Sequence, residues 1–92
     1  MKDYYLKTKK SLFEAFAKSQ KDGKFDDFLK LVLTRKEYEE VIRRWYVLKE
    51  LDKKRGQRDI AEDLGLGLAT VSRGQRAYWQ ADKEIRKYLK DK

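Results

Sequence analysis

The sequence contains no cysteine, no histidine and no proline, and only five glycines in 92 residues. Each absence narrows what the chain can do. Without cysteine there is neither a disulfide framework nor a thiolate metal site. Without histidine the commonest metal ligand and the usual general base near neutral pH are missing. Catalysis would have to rest on carboxylates, and the adjacent pairs Asp26-Asp27 and Glu39-Glu40 diverge on a helix. The expectation is therefore no enzyme, no catalytic residue and no metal. No apolar run approaches the ~18 residues of a membrane span. Residues 1–16 are too interrupted by charge to read as a signal peptide, so a cytoplasmic protein is expected.

What the chain has in excess is positive charge. Lys plus Arg number 24 against 16 Asp plus Glu, a net charge of +8, which favours a polyanionic partner. The length suits a single domain over 1–92. A chain of this size buries only roughly 60–65% of its unfolded surface, so its core is thin unless a second chain adds to it.

With no proline and the glycines concentrated at Gly56, Gly65, Gly67 and Gly74, the chain reads as all-α, cut into short helices. Residues 2–20 carry Tyr5, Leu12, Phe13, Phe16 and Ala17 at helical spacing. After Gly23, the residues Phe25, Phe28, Leu29 and Val32 follow i, i+3, i+4, i+7. Thr34 with Glu37 forms a capping box for a third helix. That helix carries Tyr38, Val41, Ile42, Trp45, Leu48 and Leu51 on one side and runs to about Lys54, where Gly56 is expected to end it. Asp82 caps a last helix whose apolar face is Ile85, Tyr88 and Leu89. The aromatic-rich stripes of residues 1–55 are expected to form a dimerisation core, because one small subunit cannot easily cover them.

Residues 57–76, QRDIAEDLGLGLATVSRGQR, read as a helix-turn-helix. Ile60, Ala61 and Leu64 point inward from the first helix, and Ala61 is small where the second must cross. Gly65 allows a left-handed turn. Leu66, Leu68 and Val71 are expected to continue the buried set, leaving Ala69, Thr70, Ser72, Arg73 and Arg76 outward. Short side chains let a helix approach base edges and thymine methyls, while arginine reaches guanines or phosphates. No acidic residue occurs between Leu64 and Ala81. The segment is read as binding double-stranded DNA.

LGLGLATVSRG following QRDIAED closely resembles the operator-reading segment of the tryptophan (Trp) repressor superfamily. Upstream, LVLT at 31–34, Arg44 and the pair Glu50-Leu51 match as well, so the resemblance covers roughly residues 25–90. It implies six helices, an intertwined homodimer whose first three helices form a shared core, and a near-palindromic operator with half-sites about one helical turn apart. Carried over by position, Gln57 and Arg58 would meet phosphates or a guanine, and Leu68, Ala69, Thr70 and Ser72 would face the bases.

The same resemblance implies L-tryptophan as corepressor. Arg44 and Arg73 match the arginines that sandwich its ring, and a planar guanidinium can both stack on an aromatic face and hold a carboxylate. Thr34 matches a polar contact, Leu31 and Leu33 match residues whose carbonyls receive the ligand amine, and Gly74 matches a position that leaves room for the ligand. Two departures stand out. Ala77 replaces a serine that helps hold the amine, and the segment around 53–56 is one residue short of the family pattern. For Arg44 alone the plain alternative is a surface charge pairing with Glu40 or a similar acid. For the chain, the alternatives are a ligand-independent regulator of the same superfamily and an RNA- or protein-interaction module using Tyr4, Tyr5 and the lysines at 2, 7, 9 and 10.

Overall fold

The computed structural model describes residues 2–90; Met1, Asp91, Lys92 and the side chain of Lys2 lie outside the described residues. The described backbone is all-α. It forms α1 (Lys2–Lys21), α2 (Phe25–Val32), α3 (Arg35–Asp52), α4 (Gln57–Leu64), α5 (Leu68–Gln80) and α6 (Lys83–Arg86), the last continued by a 3₁₀ turn, Lys87–Leu89. The backbone groups into two compact units, 1–38 and 39–92.

In the first unit, Gly23 at φ +70° terminates α1, and the amide of Lys24 donates back to the Ser19 carbonyl at 2.8 Å, closing a Schellman turn. The chain reversal brings Phe16 edge-on to Phe25 and Phe28, with centroids 5.5 and 5.4 Å apart, a favourable T-shaped geometry. The capping box is present. Glu37 N–H donates to Thr34 Oγ1 at 3.1 Å, and Thr34 N–H donates to Glu37 Oε1 at 2.8 Å. Asp26 accepts from the Tyr38 hydroxyl and pairs with Lys30. Yet among the described residues of this unit no apolar side chain is fully buried, and Leu31 is 82% exposed.

The second unit holds the core. Val47, Leu51, Ile60, Ala61 and Val71 are buried together, with Leu64 and Tyr78 packed against them. Ile60 and Val71 are completely inaccessible, each worth about 1.5–3 kcal/mol of burial. The face of α3 used here is that of Val47, Glu50 and Leu51; of the predicted stripe only Leu51 is buried, for Val41, Ile42 and Trp45 remain exposed. α3 carries more apolar residues than one face can hold, and the core of this unit takes only one side of it.

Three expectations are corrected here. α3 ends at Asp52, and the left-handed residue that closes it is Lys54 at φ +66°, not Gly56. The Arg55 amide reaches the Glu50 carbonyl at 3.2 Å, so the Schellman turn forms two residues earlier. Gly56, extended at φ −70°, is instead the N-cap of α4. Leu68 does not join the buried set; it stands at the first position of α5, 45% exposed. Finally, Asp82 caps α6 by accepting from Ile85 N–H at 2.9 Å, but Ile85 and Tyr88 face solvent and only Leu89 is buried. The helix lasts a single turn before tightening, too short to present a continuous stripe.

Candidate DNA-reading head and ligand cleft

The reading head is α4, a tight turn and α5. Gly65 at φ +63° makes the turn, with Leu66 N–H returned to the Ala61 carbonyl at 3.0 Å. Ile60 and Ala61 from α4 meet Val71 from α5 in the core, so the opposite side of α5 is left outward. Leu68, Ala69, Arg73, Arg76 and Ala77 are exposed, and Arg58 is exposed on α4. Among the described residues Arg58, Arg73 and Arg76 have no ion-pair or hydrogen-bond partner, leaving their donors available for phosphate or guanine.

Gln57 and Ser72 are differently placed. The Ser72 hydroxyl donates to Gln57 Oε1 at 2.7 Å, and the Gln57 amide donates to Gln75 Oε1. These half-buried groups tie the start of α4 to the middle of α5. Gln75, which sequence reasoning missed, is signalled by its spacing: it lies one position beyond Gly74 and i+3 from Ser72, on the same helix face.

The head is anchored to α3 by charge. Arg55 Nη1 lies 2.7 Å from Glu50 Oε1 and 2.6 Å from Asp63 Oδ2, joining the end of α3 to the last turn of α4. Hydrogen bonding to Arg55, then to Lys53, holds the Glu50 carboxyl below the usual carboxylate range, and Arg55 is correspondingly pushed up by Asp63 and Glu50. Asp52 accepts from Lys90 Nζ at 2.9 Å and from the Tyr78 hydroxyl at 2.8 Å, and both depress its pKa. Glu50, Asp52 and Asp63 are thus taken up in ion pairs within this unit.

Between α3 and α5 the same unit contains a cleft of ≈ 580 Å³. Its polar lining is Glu40, Arg43, Arg44, Thr70 and Arg73. Val47, Leu48, Leu66 and Ala77 make its apolar wall, and Gly74 also borders it. The structure therefore brings Arg44, Arg73, Gly74 and Ala77 of the expected ligand set together. Leu31, Leu33 and Thr34 belong to the amino-terminal unit. Thr70, read from sequence as facing DNA alone, lines the cleft beside Arg73. Glu40, Arg43 and Leu48 were not singled out as site residues. For Glu40 and Leu48 the signal is simple periodicity, since positions i−4 and i+4 from Arg44 share its face, and Arg43 follows as i+3 from Glu40.

Among the described residues no helix is long and apolar enough to cross a membrane, and no group of acidic side chains is arranged to hold a metal ion. A glycine-turned helix pair, presenting an acid-free second helix with unpaired arginines, is the build of a helix-turn-helix DNA-binding regulator. A family model described as Trp repressor protein matches residues 7–92. A Trp operon repressor homolog from Photobacterium profundum is 38% identical over 79 residues, covering 85% of this chain and 74% of its own length. The chain belongs to the Trp repressor family, whose members are DNA-binding transcriptional regulators.

Proposed function

We propose that this chain is a homodimeric, operator-binding repressor that uses L-tryptophan as corepressor to control tryptophan-related genes. The observation that carries the reading is the position of Arg73. It stands on the exposed side of α5 and also lines the cleft with Arg44, and neither guanidinium has a partner among the described residues. A ligand held between the two arginines fixes α5 against α3, and so fixes the angle at which Leu68, Ala69, Thr70 and Arg76 meet the major groove. Gln57 and Arg58 meet the phosphates or a guanine, and Ser72 stands with the base-facing residues. Leu31, Leu33 and Thr34 are carried over from the family resemblance as further ligand contacts.

The dimer part of the proposal is supported by the amino-terminal unit, which exposes Tyr4, Tyr5, Leu6, Phe13 and Leu31 and fully buries no apolar side chain of its own among the described residues. Two-fold symmetry then asks for a near-palindromic duplex.

Ala77 favours a second reading, a ligand-independent regulator, because an alanine in the cleft wall offers no hydrogen bond. Titrating a near-palindromic operator fragment into a gel-shift series with and without L-tryptophan separates the two. The corepressor reading expects tighter binding with the amino acid present; equal affinity in both series removes it and leaves the second. In either case log affinity should fall with log salt at about −0.9 per phosphate contact.

A further inference from the structure

The cleft holds charges that balance nothing within it. Glu40 is half-buried on α3 and lines the cleft, one turn before Arg43 and Arg44. Spacings of i+3 and i+4 are those at which a glutamate ordinarily pairs with an arginine. Neither pair forms, and among the described residues Glu40, Arg43, Arg44 and Arg73 all lack an ion-pair or hydrogen-bond partner. Three free guanidinium groups therefore share one cleft with one free carboxylate, beside an apolar wall that includes Val47 and Ala77. The guanidiniums suit an anionic head and a flat apolar body. A simple carboxylic acid would satisfy them and place its own charge in repulsion with Glu40. A zwitterion satisfies both signs.

We propose that Glu40 receives the ammonium group of the ligand, so that the cleft selects an aromatic α-amino acid over the corresponding acid without an amine. Glu40 is thereby a specificity-determining residue in place of the hydrogen bond that Ala77 cannot make. This rests on the corepressor reading above. A charge-assisted contact of this kind discriminates by about tenfold or more.

The test is calorimetric titration of the full chain with L-tryptophan and with indole-3-propionate, which lacks only the amine, repeated on Glu40→Gln. The native chain should bind L-tryptophan about tenfold or more tightly than the deaminated acid. Glu40→Gln should weaken tryptophan, leave or improve the acid, and erase the preference, with an unchanged thermal melt showing that the fold is intact. If the native chain binds the two equally, or prefers the acid, or if Glu40→Gln keeps the native preference, the role of Glu40 is overturned while the corepressor reading stands. If the native chain binds neither at millimolar concentration, the corepressor reading falls and this inference with it.

Discussion

A Cβ added to Gly74 would stand 2.9 Å from Val47 Cγ1 and 3.8 Å from Leu51 Cδ1. The first distance is shorter than real Cβ contacts allow, and Val47 is buried and β-branched, with little freedom to turn away. Gly74 thus sets how closely α5 can lie on α3, in addition to bordering the cleft. Alanine there gains about 1 kcal/mol of helix propensity, against about 1–3 kcal/mol of overpacking. Gly74→Ala is expected to lower the urea midpoint, and Val47→Ala in the same chain to recover part of the loss. A Gly74→Ala protein as stable as the parent would show that the helices separate freely. The glycine itself was legible from its resemblance to the family motif, but its packing reason was not. Val47 falls outside the α3 stripe read from apolar spacing, and only the fold reveals which of two apolar sides of α3 faces α5. Thr70 is a similar case. Its short polar side chain fits a base-reading position, and spacing alone does not show that the cleft begins there.

At the scale of elements, helices were read well because their ends are written in local chemistry. Thr34 and Glu37 cap α3, Asp82 caps α6, and Gly23 and Gly65 take the left-handed turns. The exception is Lys54, a residue type that rarely adopts positive φ. Its turn is held by the next residue, since Arg55 must reach Glu50 and Asp63 together. Sequence shows three charged residues and not the convergence that decides the turn. This junction carries a pH dependence. Arg55 and Lys53 depress the Glu50 pKa, and Lys90 and Tyr78 depress that of Asp52. A carboxyl whose folded pKa lies below its unfolded one contributes stability that is fully present above the ordinary carboxylate range and is lost as pH falls through the folded value. The melting temperature should therefore drop as pH falls below about 4. Glu50→Gln should melt lower than the parent at neutral pH and show a shallower acid decline. An acid decline equal to that of the parent would place the titrating group elsewhere.

For the whole molecule, the distribution of apolar surface is uneven in a way that a single chain does not resolve. Every fully buried apolar residue among those described lies in the unit 39–92. Residues 1–38 expose Tyr4, Tyr5, Leu6, Phe13, Leu31 and Val32, and α3 leaves Val41, Ile42 and Trp45 bare. Singly exposed apolar residues are ordinary, but faces of this kind along successive helices are the mark of an interaction surface. A second copy of the chain is the occupant proposed above, and coupling of folding to association gives it a thermodynamic signature. When two chains must meet to fold, each tenfold rise in concentration adds about 1.4 kcal/mol to the apparent stability of the dimer. For a folding unit of roughly 180 residues that corresponds to a rise in melting temperature of about 3–6 °C per tenfold. Calorimetric scans over a hundredfold range of concentration should show that rise, and sedimentation should give a dimer at micromolar chain. A melting temperature independent of concentration, with a monomer in the centrifuge, would mean that the amino-terminal helices fold unaided, and the paired reading heads would lose their support.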